Sequence, residues 1–131
     1  MQLQTILINY KTPEMTLKSL AAFMREMGDR PGVHVTLVDN ASGDGSVEAL
    51  SAEIRLQGWS DRVSLVESPR NGGFAYGVNV GFQNPPPAGR PDFVYLLNSD
   101  AFPDPQSVDV LLDFLVEHPE IGIAGSFIYG A

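Results

Sequence analysis

The stretch Leu3-Gln4-Thr5-Ile6-Leu7-Ile8-Asn9-Tyr10-Lys11-Thr12-Pro13-Glu14 decides the fold. Leu3 to Ile8 is an apolar run of strand length. Thr12-Pro13-Glu14 is a helix start, with a capping hydroxyl, a proline in the first turn and an acid at the positive end of the helix dipole. Leu17, Leu20, Met24 and Met27 then recur at spacings of three and four, which marks one buried helix face, and Gly28 closes the helix. A strand handed directly to a helix is the opening of a βαβ unit.

The same alternation continues outward. Val33 to Val38 is a second strand, apolar enough to be buried on both faces, with Asp39 at its carboxyl end. The turn Asn40-Ala41-Ser42-Gly43-Asp44-Gly45-Ser46 leads into a helix with Ser46 as its cap and Val47, Leu50 and Ile54 facing inward. Val63 to Val66 is a third strand. Pro69-Arg70-Asn71-Gly72-Gly73 follows it, then a glycine-rich helix in which Phe74, Val78 and Phe82 align. Gln83 to Asp92, with four prolines and one glycine, reads as an exposed loop. Phe93 to Leu97 is a fourth strand, ending at Asn98-Ser99-Asp100. Asp104-Pro105 starts a helix with Val108, Leu111, Leu112, Leu115 and Val116 inward, and His118-Pro119 stops it. Ile121 to Tyr129 is expected to be a last strand. The expected fold class is α/β, a mostly parallel open sheet with helices on both faces. Because the last strand has nothing to cover it, a homodimer through that uncovered edge is expected.

The chain has 131 residues, and its 16 acidic against 8 basic side chains give a net charge of −8. Residues 1–131 are expected to form one domain. A chain of this size buries roughly 68% of its unfolded surface and folds without disulfides or a structural metal. The absence of cysteine removes thiol catalysis, iron–sulfur ligation and cysteine-bound zinc, and leaves His34 and His118 as the nitrogen ligands. An acidic chain without a lysine or arginine cluster has no basic face with which to neutralise phosphates along a duplex, so no nucleic acid partner is expected. No apolar run approaches the ~18 residues of a membrane span. With no basic stretch before its first apolar run, the chain reads as cytoplasmic.

In open parallel sheets, ligands bind beyond the carboxyl ends of the strands. The polar residues of this sequence collect there: Asn9-Tyr10-Lys11, Asp39-Asn40, Arg70-Asn71-Gly72-Gly73 and Asn98-Ser99-Asp100. An aspartate carboxylate is an acceptor. At position 39 it either takes the N3–H of a uracil or thymine ring or ribose hydroxyls, or it caps its own turn through the N–H groups of Ser42 or Gly43. Asp100 either holds a divalent cation, magnesium or manganese by its oxygen chemistry, or caps the turn before Asp104. Arg70 can fork onto a phosphate. Glycines 73, 77 and 81 leave one helix stripe bare, for close approach of either the sheet or a ligand. The dinucleotide fingerprint, the Walker loop, the G-x-S-x-G elbow and H-E-x-x-H are all absent.

Taken in order, Ile8-Asn9-Tyr10, Val38-Asp39-Asn40-Ala41-Ser42-Gly43-Asp44-Gly45-Ser46, Asn71-Gly72-Gly73-Phe74-Ala75 with Asn79 and Gly81, and Leu96-Leu97-Asn98-Ser99-Asp100-Ala101 resemble the family 2 glycosyltransferases, closest to the branch that includes rhamnosyltransferases. The resemblance implies a GT-A nucleotide-diphospho-sugar fold and metal-assisted transfer, with inversion, from a UDP- or dTDP-sugar donor to a saccharide or lipid-linked acceptor. It also implies that Asp39 contacts the base, with Asn9 and Tyr10 beside it, that Arg70, Asn71 and Gly72 border the nucleotide together with Asn98, and that Asp100 binds the metal (Mg2+ or Mn2+) on the diphosphate. The family's D-x-D motif stands here as Asn98-Ser99-Asp100, with an amide for the first carboxylate. Nothing matches the family's acceptor half, which carries the catalytic base, so this chain is expected to be the donor-binding part and inactive alone. The full protein is expected in the cytoplasm or at the periphery of the inner membrane. A non-catalytic nucleotide-binding or interaction domain of the same fold is the alternative.

Overall fold

The computed structural model describes residues 1–130. Its elements are β1 (Leu3–Asn9), α1 (Pro13–Met27), β2 (Val33–Asp39), α2 (Ser46–Leu56), β3 (Val63–Glu67), α3 (Phe74–Phe82), β4 (Phe93–Leu97) and α4 (Ser107–Glu117). The four strands form one parallel sheet in the order β3-β2-β1-β4. β1 and β2 lie inside it, and every residue of both is buried, as their unbroken apolar runs require.

Alternation along the strands divides the core between two faces. Leu3 and Leu7 of β1, Val35 and Leu37 of β2 and Leu97 of β4 pack with Leu20, Phe23 and Met27 of α1, Leu50 and Ile54 of α2, and Val108 and Leu112 of α4. On the opposite face, Ile6, Ile8 and Val38 pack with Val78 and Val80 of α3. Helices therefore cover both faces, and the α/β open-sheet expectation holds. Among the described residues no helix is long and apolar enough to cross a membrane.

The structure departs from the sequence reading in its details. Thr12 stands at the α1 cap, but no side-chain hydrogen bond is made there. The α2 cap is Gly45 rather than Ser46. Asp44 Oδ1 accepts from both the backbone N–H and the hydroxyl of Ser46, and this hydroxyl holds the Asp44 carboxyl below its ordinary range. In α3, Phe74 and Phe82 are about half exposed (52% and 48%), and of the two uses open to the bare glycine stripe, Gly77 and Gly81 take the one that faces the sheet. A Cβ at Gly81 would stand 2.8 Å from Ile6 Cγ2, and one at Gly77 would stand 3.2 Å from Ile8. Bulk on the strand selects glycine on the helix. α4 begins at Ser107 rather than at Asp104-Pro105. It buries Val108 and Leu112, half-buries Leu111 and Leu115, and leaves Val116 exposed.

The expected strand from Ile121 to Tyr129 does not form. Ile123, Phe127 and Ile128 are 91%, 89% and 86% exposed. Apolar composition supplies a tendency to be buried, but a strand exists only where another edge offers its N–H and C=O groups. Nothing among the described residues does so here.

Candidate functional site

Chain order runs outward from β1 through β2 to β3, then returns to the other side of β1 for β4. The reversal opens a crevice between the carboxyl ends of β1 and β4, the switch point at which open α/β sheets take their ligands. A hollow of about 720 Å3 lies there, and Tyr10, Asn40, Asn71, Gly73, Asn98 and Asp100 are among its lining residues. Ser19, buried in α1, holds the Asn98–Asp100 turn. Its hydroxyl lies 3.0 Å from the Asn98 carbonyl and 2.5 Å from that of Ala101.

Asp39 belongs to a second hollow of about 450 Å3, lined also by Ala41, Ser46, Glu48, Glu67 and Ser68. The two hollows share a wall. Asp39 and Ala41 face one and Asn40, between them, faces the other. Asp39 is 2% exposed and its carboxylate is anchored. Oδ1 accepts from Asn9 Nδ2 at 2.9 Å and from the Ser42 hydroxyl at 2.7 Å, and Oδ2 accepts from Ser42 N–H at 3.1 Å. The turn-capping alternative is therefore realised. It does not exhaust the carboxylate, which has about four acceptor sites. Asn9, paired with Asp39 in register, is fully buried and lines neither hollow.

The loops above the rim are tied to each other. Asn40 Nδ2 donates to Asn71 Oδ1 at 3.1 Å and to the Gly73 carbonyl at 3.0 Å, and Asn71 Oδ1 also accepts from Gly73 N–H. Gly73 has φ 95° and ψ −178°, a conformation open essentially to glycine alone. Asn40 Oδ1 is buried without a partner. Arg70 is exposed. It lines neither hollow and stacks on Tyr76, its guanidinium 4.5 Å from the ring centroid. Gly72 leaves room for that same ring, since a Cβ there would collide with Tyr76 Cγ.

Of the residues singled out in the sequence, the structure thus brings Tyr10, Asn71, Asn98 and Asp100 to one hollow and Asp39 to its neighbour, and places Asn9, Arg70 and Gly72 behind or beside them. Sequence reasoning placed Asn40 at the rim without giving it a role, and it missed Thr16 and Ser19. These two were visible as hydroxyls within the apolar stripe of α1, where buried residues run 16, 19, 20, 22, 23, 24, 27.

Charge separates the hollows chemically. Asp39, Glu48 and Glu67 make the smaller one acidic with no cation on its wall, which excludes phosphate and favours a group that donates hydrogen bonds. The larger one carries amides, a phenol, the start of α3 and a single carboxylate, Asp100. Among the described residues no three His, Cys, Asp or Glu side chains group as a metal site. Asn98, Ser99 and Asp100 do offer oxygen donors on one turn. This set fits a hard cation that takes its remaining ligands from water and from a bound diphosphate, as magnesium commonly does.

A wholly parallel open sheet with its polar groups gathered at the switch point is an α/β architecture that takes ligands beyond its strand ends. The sequence model described as Glycosyl transferase family 2 matches residues 5–130, and the chain belongs to that family. Among solved structures, it is similar to the mannosyltransferase PcManGT from Pyrobaculum calidifontis in complex with GDP-Man and Mn2+. The TM-score is 0.76 at 20% identity, over 87% of this chain and 32% of that one. It is also similar to S. aureus TarS 1-349, with TM-score 0.72 at 18% identity over 91% and 33% of the two chains. The complex of TarS 1-349 with UDP-GlcNAc gives TM-score 0.70 at 18% identity over 91% and 32%. At these identities the likeness is one of fold, that of the GT-A glycosyltransferases. The chain spans about a third of the length of these proteins. No curated protein matches it in sequence.

Proposed function

We propose that this chain is the donor-binding part of an inverting glycosyltransferase that moves a sugar from a UDP- or dTDP-sugar to a hydroxyl of a saccharide or lipid-linked acceptor. The observation that carries the proposal is the separation of charge across the shared wall. An acidic hollow around Asp39 suits the N–H edge of a uracil or thymine ring, and the amide-lined hollow at the switch point suits the diphosphate.

In this reading Asp39 accepts from the base, and Asn40, Asn71 and Asn98 orient the sugar and phosphate oxygens while Tyr10 flanks them. Arg70, held on Tyr76, lies beside the nucleotide as a cation for its phosphates. A divalent cation would be held by Asp100 and the Asn98 amide oxygen together with the donor's phosphates, and would neutralise the leaving diphosphate. A carboxylate base from the acceptor half would take the acceptor proton as the hydroxyl attacks the anomeric carbon. The Asn98-Ser99-Asp100 form of the motif supports placement in the rhamnosyltransferase-like branch. With one charged ligand, the cation is held tightly only when the donor is present.

Titration calorimetry with UDP and dTDP, with and without Mn2+, tests this. Mn2+ is expected to tighten UDP binding about tenfold, the effect of one added charge-assisted contact. Asp100→Ala should abolish that gain and leave metal-free binding intact. Metal-independent affinity that Asp100→Ala does not change would refute the metal role, and absence of binding by both nucleotides would refute the donor reading.

A further inference from the structure

Behind Asp39 lies a buried chain of hydrogen bonds that the donor reading does not use. Thr16 and Asn9 are both completely buried, and neither lines a hollow. The Thr16 hydroxyl donates to Asn9 Oδ1 at 2.7 Å, and Asn9 Nδ2 donates to Asp39 Oδ1 at 2.9 Å. The Ser42 hydroxyl, itself an acceptor from Lys11 N–H at 2.9 Å, donates to the same Oδ1 at 2.7 Å. An asparagine amide is two-fold ambiguous, and only one orientation presents a donor to a carboxylate. The Asp39 carboxylate selects that orientation, because a flipped amide would set its carbonyl against an acceptor, and Thr16 holds the amide in place from α1 by donating to its oxygen.

We infer that Asn9, braced by Thr16, is a positioning residue that occupies Asp39 Oδ1 and leaves Oδ2 as the oxygen that reads the ligand, so that discrimination between nucleobases depends on a threonine that no ligand touches. The inference rests on the reading of Asp39 as the base contact. Counting acceptor sites gives the asymmetry. Oδ1 has two donors and Oδ2 one, the Ser42 N–H at 3.1 Å, so the open site is on Oδ2. An acceptor fixed in this way pairs with the N3–H of uracil and opposes the N3 lone pair of cytosine. A carboxylate free to rotate would meet water or the Ser42 turn in place of the base, and the two pyrimidines would be bound more nearly alike.

The test is the ratio of UDP to CDP affinity, measured by calorimetry on the wild-type chain and on Thr16→Val, Thr16→Ser and Asp39→Asn. Loss of stability alone does not move such a ratio. The wild type is expected to prefer UDP, Thr16→Val to lose about fivefold of that preference, the equivalent of one hydrogen bond, and Thr16→Ser to restore it. Should Thr16→Val not fold, Thr16→Ala carries the same expectation. A folded Thr16→Val or Thr16→Ala with the wild-type ratio, while Asp39→Asn abolishes it, overturns the positioning role and leaves the base reading standing. An Asp39→Asn protein that keeps the wild-type ratio overturns both.

Discussion

Asp39 realises one of the two readings of the sequence and leaves room for the other. It caps its own turn through Ser42, and it still lines a hollow with spare acceptor capacity. The sequence shows the carboxylate and its place at a strand end, but not the partners that aim it, because Asn9 and Thr16 come near it only through strand register and helix packing. His34 gives a prediction at the same scale. It is buried in β2 with Nε2 2.8 Å from the Ser64 hydroxyl, and burial, with Arg62 adding to it, holds its pKa below the usual imidazole value. The unfolded chain therefore takes up a proton near pH 6.5 that the native chain resists. The stability His34 contributes is complete above about pH 6.5 and is lost as pH falls from there through the native pKa. Melting temperatures between about pH 7.5 and about pH 5 should fall less steeply in His34→Gln than in the wild type. Equal slopes would show that His34 is not the group responsible.

Among the elements, those set by local pattern were the most legible. The continuous apolar runs of β1 and β2 and the three-and-four spacing in α1 gave strands and helix at close to their observed limits. For α3 the sequence showed two stripes, the aligned Phe74, Val78 and Phe82 and the bare glycines, and left open whether the glycines meet the sheet or a ligand. The observed inward side is Gly77, Val78, Val80 and Gly81, and the bulk of Ile6 and Ile8 across the interface decides for the sheet. Gly81→Ala would place its methyl 2.8 Å from Ile6 Cγ2 and is expected to cost about 1–3 kcal/mol in urea unfolding, the usual penalty of overpacking. Because α3 starts at Gly73 on the rim, the same substitution should also weaken UDP binding. An alanine tolerated without loss would mean that α3 does not rest on Ile6 as described. The segment Ile121 to Tyr129 failed as a strand for a non-local reason, since a ladder partner is not written in the segment itself.

For the whole molecule, the order β3-β2-β1-β4 determines where binding can occur, and sequence alternation implied the parallel sheet without giving that order. The structure also leaves apolar surface open. Val94 and Leu96 on β4, Val110 and Val116 on α4, and Ile123, Phe127 and Ile128 beyond it are all exposed. Surface of this kind drives association. Sedimentation velocity on the isolated chain should show concentration-dependent self-association that Phe127→Glu with Ile128→Lys diminishes, and a chain monomeric at every concentration would contradict this. The central claim is that one donor spans both hollows across the wall formed by Asp39, Asn40 and Ala41. A crystal structure of the protein grown with UDP and Mn2+ tests it most directly. The account requires the uracil N3–H on Asp39 Oδ2, with the diphosphate and Mn2+ beside Asp100. A base seated at Asp100, or a nucleotide bound away from the rim, would contradict it.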